Sequence, residues 1–383
     1  MADPLAAYTL EELRQRRSLK WRRYDSDVLP AWVAELDASL APPIAEALQA
    51  AIRRGDTGYA HPSGLPEAYA EFSDRRYGWR PDPARTVLVP DVMQGIVQAL
   101  TLITSPGDSI VINTPAYPPF FFWLRHLDRR VVSSPLALTP DGYQLDLDRL
   151  EQDFAAGAAV FLLCNPQNPT GLVFSRDELL AVAELAQRYG VRVICDEIHA
   201  PLTYPGERHV PFGSLPVPAA QQAVTAVSAS KAWNLAGLKA ALVVAGPESW
   251  RDVRLIPEEV QYEASLHGVI ASEAAFRHGE PWLSDLLASL DRNRVLLGKL
   301  LAETLPAVGY HPPRATYLTW LDCRALGLPG DPAEHFLEHG RVALASGPSF
   351  GADYTGFVRL NLGTAAEHLT EVVRRMAAAV PAR

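Results

Sequence analysis

Lysine is the scarcest charged residue in this chain of 383 residues. It occurs only as Lys20, Lys231, Lys239 and Lys299, and arginine supplies the rest of the 35 basic side chains. Cysteine is rarer still. Cys164, Cys195 and Cys323 are odd in number, widely spaced and without a C-x-x-C pair. That fits reduced core thiols better than a disulfide framework or a zinc site. No apolar run reaches the length of about 20 residues that a membrane helix needs. The N-terminus is acidic from Asp3 and lacks a long apolar segment, so it does not read as a signal peptide. Basic charge is also short: the net charge is −9, with no basic patch beyond Arg14 to Arg23. Nucleic acid and anionic membrane are therefore set aside as partners. There is no repeat and no low-complexity tract. What remains is 48% hydrophobic and 21% charged, a soluble cytoplasmic chain long enough for two subdomains.

Residues 1 to about 45 read as an arm with a short helix, followed by helices over 43–53 and 67–77. From about residue 86 short apolar runs alternate with helical stretches. Thr86–Val89, Ser109–Ile112, Arg130–Val132, Ala159–Leu163, Val191–Cys195, Ala223–Val227 and Ala241–Ala245 read as strands. Ser175 with Glu178 predicts a capping box, opening a helix that closes at Gly190. The alternation predicts an α/β protein with a doubly wound, mostly parallel sheet over residues 46–284. Beyond 285, a long helix and two short strands, Tyr317–Leu321 and Phe357–Asn361, predict a smaller α+β domain over 285–383.

Lys231 gives the lysine shortage its meaning. It lies in Ser228-Ala-Ser-Lys-Ala-Trp-Asn, directly after a buried strand, where open α/β sheets bind ligands. Arginine cannot give up its proton, whereas a desolvated lysine can. The bland alternative, an incidental lysine at a turn, weighs about equally on this stretch alone. Three more loops at strand ends carry polar groups: Asn165-Pro-Gln-Asn-Pro-Thr-Gly171, Asp196-Glu-Ile-His199, and Thr114 to Pro119 with Tyr117. The helix after Pro90 offers free N–H groups to an anion. An amine, a buried carboxylate, an aromatic ring, an amide and an anion site are together what a pyridoxal phosphate pocket requires.

These blocks, in this order, resemble the fold-type I pyridoxal-phosphate enzymes. Ser228, Ser230, Lys231 and Lys239 match an S-x-S-K-x(7)-[R/K] motif, in combination with N-P-x-N-P-T-G. The resemblance implies that Lys231 carries the cofactor and moves protons, that Asp196 pairs with the pyridine nitrogen, and that Asn168 meets the ring oxygen. Tyr117 would stack on the ring. Val92, Met93, Ser228, Ser230 and Lys239 would hold the phosphate, and Arg359 the substrate carboxylate. Tyr59 would reach the phosphate of a neighbouring subunit, which implies a homodimer with shared sites. Within the superfamily the chain resembles the MalY/PatB-type cystathionine β-lyases. The shared marks are Trp32 to Asp37, Thr114 to Phe120, Cys164 to Gly171, Asp196 to Ala200, the run at 279–283, and Thr316 to Asp322. Three positions depart from that pattern: Ala38 replaces an aromatic, Gln167 a histidine, and Pro90-Asp-Val-Met93 a P-G-V-V turn.

The resemblance implies a carbon–sulfur β-lyase acting on cysteine S-conjugates. The residue chemistry leaves an aminotransferase equally open, because both reactions begin by removing the Cα proton. A ligand sensor that does no chemistry fits less well, since the cofactor set is complete. His199 reads as a structural histidine near the site, and Glu35 and Asp37 as groups that fix the arm.

Overall fold

The computed structural model describes residues 3–140 and 142–381. Its centre is a seven-stranded sheet in the order Thr86–Val89, Ala241–Ala245, Val224–Val227, Arg192–Asp196, Ala158–Cys164, Ser109–Thr114, Arg130–Pro135. All neighbours are parallel except Ala241–Ala245, which is antiparallel to both of its partners. The six co-directed strands therefore end along one edge of the sheet, and the antiparallel strand begins there. Strand side chains alternate between the faces. Val160 and Leu162 join the helices Val92–Ile103 and Pro118–His126 on one side. Phe161 and Leu163 join Leu147–Ala155 and Arg176–Tyr189 on the other. Burial on both faces is why these strands read as unbroken apolar runs.

The remaining chain builds an antiparallel four-stranded sheet, ordered Gly309–Tyr310, Leu318–Asp322, Phe357–Asn361, Ala345–Ser346. The long helix Glu280–Thr304 and the last helix Ala366–Ala379 pack on it. The expected helix starts were close: Pro42–Arg54 and Leu65–Tyr77 are observed, and the Ser175–Glu178 capping box is present in both directions. The helix Leu266–His278 was not foreseen. Its buried face is made mostly of small residues, Gly268, Ala271, Ser272 and Ala275, so no strongly apolar stripe marks it.

The arm at 32–38 runs between the two sheets, held mainly by side chains from elsewhere. Asn361 Nδ2 donates to the carbonyls of Val33 and Glu35, each at 2.7 Å. Asn234 accepts from Leu36 N–H and donates to Leu36 O, both at 2.9 Å. Lys20 Nζ lies 2.7 Å from Asp37 Oδ2, with both side chains almost fully buried, and it also donates to Glu35 O. Breaking a buried pair leaves one charge without water or partner. Lys20→Met is therefore expected to cost about 3–5 kcal/mol in a urea titration, with part regained in Lys20→Met/Asp37→Asn. An unchanged midpoint in the single variant would show the arm to be dispensable for stability.

Candidate active site

A cavity of about 180 Å³ opens at the sheet edge where the co-directed strands end. It gathers Tyr117, Asn168, Asp196 and Lys231, and at one end Val92, Met93, Ser230 and Lys239. Arg359 lines an adjoining cavity of about 470 Å³ that shares Tyr117 with the first. Ser228 and Tyr59 are placed otherwise. The Ser228 hydroxyl donates to Ala240 O at 2.7 Å and accepts from Ser230 N–H at 3.0 Å, so it shapes the loop behind the cavity wall. Spacing gave its position but not its direction. Tyr59 is 85% exposed beside Tyr262 and does not line the cavity of its own chain.

Each group is set by the loop that follows its strand. Asp196 ends its strand, with Oδ1 accepting from Ile198 N–H at 3.1 Å. Burial pushes its carboxyl up to about 7, and Ile198 and the Lys231 amine pull the other way. Lys231 Nζ donates to Ala34 O at 3.2 Å. Burial, and then the Arg359 cation, push its amine down to about 8. Lys231 is thus an amine that gives up its proton more readily than an exposed lysine. Buried His199 is pushed down to about 3, first by burial, then by Lys231 and Arg359, so it is neutral.

Arg359 sits on the strand Phe357–Asn361 and reaches back toward the large sheet. Its Nη1 donates to Asn168 Oδ1 at 3.0 Å and its Nη2 to Trp32 O at 2.8 Å. The guanidinium lies 5.0 Å from the Phe350 ring centre, and buried Nε has no partner among the described residues. Burial brings it down to about 10, so it remains a cation with a spare donor for a carboxylate. The bond to Asn168 occupies that amide's oxygen and leaves its NH₂ as the donor for a ligand.

The N-P-x-N-P-T-G loop is tied down on both sides. Gln167 donates to Pro115 O, and its Oε1 accepts from Thr170 N–H and Oγ1. Gln167, where the family pattern has histidine, therefore ties this loop to Pro115 and to Thr170. Gly171 has φ 69°, and a Cβ there would lie 2.3 Å from Pro313, so only glycine fits.

Tyr317 and Thr316 carried no expected role. Tyr317 Oη donates to Ala34 O at 3.1 Å, the carbonyl that Lys231 also meets. Thr316 has φ 66°, costly for a β-branched residue. It is held there by Oγ1 on His199 Nδ1 at 3.1 Å, by its carbonyl accepting from Tyr204 Oη at 2.7 Å, and by its N–H on Leu202 O. The signal was available in part, since Thr316 and Tyr317 stand in a quoted family mark, but a strained φ has no signature in sequence.

At the anion end, Asp91 caps the helix Val92–Ile103 through Gln94 N–H at 2.8 Å. Val92 and Met93 are the first two residues of that helix, so their N–H groups have no carbonyl within it. Lys239, in the left-handed region at φ 52°, lies 2.7 Å from Asp91 Oδ2. The donor set fits pyridoxal phosphate: an amine to link it, a buried carboxylate for its ring nitrogen, an amide for its oxygen, and N–H groups with a lysine for its phosphate. Among the described residues no His, Cys, Asp and Glu cluster could hold a metal, and no helix is long and apolar enough to cross a membrane.

Fold and cavity together define a fold-type I pyridoxal-phosphate enzyme. More narrowly, residues 24–376 match the family of class I and II aminotransferases, and the chain belongs to that family. It is 49% identical to a Mycobacterium tuberculosis protein provisionally named cystathionine beta-lyase, over 98% of this chain and 97% of that one. It is 38% identical to the cystathionine beta-lyase of Corynebacterium glutamicum, over 96% and 98%. The PLP-bound C-S lyase of Staphylococcus hominis superposes with a TM-score of 0.90 at 26% identity, over 97% of this chain and 99% of that one.

Proposed function

We propose that this chain is a pyridoxal-phosphate-dependent carbon–sulfur β-lyase. It would cleave L-cystathionine or a related cysteine S-conjugate, with one water, to a thiol, pyruvate and ammonium. The amine of Lys231 and the spare donor of Arg359 support an amino acid substrate, and the full-length similarity to relatives named cystathionine beta-lyase supports the choice of lyase.

The bound cofactor supplies an electron sink that makes the substrate Cα–H acidic. Arg359 holds the substrate carboxylate through its spare Nε and a nitrogen freed from Trp32 O or Asn168. This contact fixes the substrate against rotation. Lys231, as a neutral amine, takes the Cα proton, and its N–H on Ala34 O aims the lone pair. Asp196, as a carboxylate, keeps the ring nitrogen protonated. Tyr117, half-buried at the start of Pro118–His126, would stack on the cofactor ring. Electrons leave Cα toward Cβ and the C–S pair departs on sulfur, so the thiol takes one proton. The wider cavity beside Arg359 has room for the leaving group.

The homodimer with Tyr59 crossing to its neighbour is part of this reading, supported by an exposed Tyr59. So are a cytoplasmic location and the division into an arm at 1–45, a large domain at 46–284 and a small domain at 285–383, the last supported by two separate sheets. The test is incubation with L-cystathionine and S-alkyl-cysteines in the absence of any keto acid. Equal, sustained release of thiol, pyruvate and ammonia is expected. No release of the three, with glutamate formed once 2-oxoglutarate is added, would make the protein an aminotransferase, which passes the substrate's amino group to a keto acid.

A further inference from the structure

We propose that the Asp91 carboxylate competes with the cofactor phosphate for Lys239 and for the start of the helix Val92–Ile103, so that this chain holds the phosphate loosely. The inference rests on the cofactor reading above and concerns one residue of that site.

The four groups that would receive a phosphate, Val92, Met93, Ser230 and Lys239, line the cavity together with Asp91. Val92 and Met93 offer N–H groups, and Lys239 offers a full charge. Asp91 already uses one of these resources, Lys239, and the next N–H of the same helix. One oxygen occupies the third N–H of the helix, on Gln94, and the other lies 2.7 Å from Lys239 Nζ. An acidic group at a helix N-terminus is stabilised by the partial positive charge there. A phosphate, arriving with up to two negative charges, draws on the same field. It meets an anion at the position where a family turn has glycine.

Helix capping alone does not account for the carboxylate. Asparagine caps as well as aspartate, and glycine costs only a few tenths of a kcal/mol at that position. What the charge adds is the ion pair. Lys239 is the mobile partner: its side chain is 55% exposed, while its backbone is fixed by its left-handed φ and by Lys239 O accepting from Ser265 N–H at 2.9 Å. A flexible ammonium can swing from carboxylate to phosphate, but it serves two anions less well than one. The Ser230 hydroxyl makes no hydrogen bond to a described residue and is left for the phosphate.

The test uses full-length protein freed of cofactor, titrated separately with pyridoxal phosphate and with pyridoxal, which lacks the phosphate. Binding is followed by ultrafiltration and by tryptophan fluorescence. Asp91→Asn keeps an oxygen on Gln94 N–H and removes the charge. It is expected to lower the Kd for pyridoxal phosphate by about 10-fold, as for one like-charge contact near a surface. The Kd for pyridoxal should change less than about 2-fold, and added salt should narrow the difference for the phosphate form. Asp91→Gly should shift the same way, which guards against a folding defect in either variant. An unchanged or weaker pyridoxal phosphate affinity in both variants, or a parallel gain for pyridoxal, overturns the proposal alone. Failure of every form to bind pyridoxal phosphate overturns it together with the cofactor reading.

Discussion

Lys231→Ala is expected to lower turnover of a cysteine S-conjugate by at least about 10⁴-fold, the loss of a proton-transfer group and of a covalent anchor together. The visible absorbance of the lysine-linked cofactor should vanish with it. Folding should not suffer. Burial lowers the amine to about 8, so the folded state disfavours the ammonium that the unfolded chain carries up to its ordinary value near 10.5. Native Lys231 therefore costs stability at pH 7, where both states would bind the proton, and that cost fades as pH rises through the two values. Alanine removes it and gives up the bond to Ala34 O. The urea midpoint at pH 7 is thus expected to hold or rise while catalysis disappears. Turnover within 100-fold of the native chain would remove Lys231 from its assigned place.

That Lys231 was legible at all follows from the architecture. Strands buried on both faces give apolar runs, and the loops at their ends must carry whatever chemistry the sheet presents. Asp196, Asn168 and Tyr117 stood out for the same reason, as polar or aromatic groups beside Gly and Pro at the close of a strand. The groups that fix the arm did not. Asn234 lies 198 positions from Leu36, and Asn361 lies 328 from Val33. Their work is to satisfy backbone carbonyls across the interior, which leaves no periodicity behind. Lys20 was visible as a rarity but read only as a count, because a buried ion pair needs both partners in view. Ser228 shows a different limit: a motif named the residue, and the direction of its hydroxyl, here donating to Ala240 O, is set by a rotamer that leaves no mark in sequence. Among the small strands, Ala345–Ser346 and Gly309–Tyr310 are two residues each, too short to leave an alternating pattern.

Asp196→Asn separates charge from shape at the other pole of the site. The two side chains are nearly the same size, and asparagine can keep the bond from Ile198 N–H. What it loses is the negative charge that would hold the cofactor ring nitrogen protonated, and turnover is expected to fall by about 10³-fold, as for one preorganised electrostatic group. The same substitution should strengthen the cofactor-free fold. Burial raises the carboxyl from about 3.8 to about 7, so the native chain binds its proton more tightly than the unfolded one does. Its stability therefore falls as pH rises between those values, and the full cost, on the order of a few kcal/mol, is present above pH 7. Asparagine escapes that cost. Its urea midpoint should exceed the native one at pH 8 and match it near pH 3, where both side chains are neutral. A carboxylate kept in a place where it weakens the fold is explained by a cation that arrives later. If Asp196→Asn left turnover intact, or lowered stability at pH 8, that cation would not be the ring nitrogen.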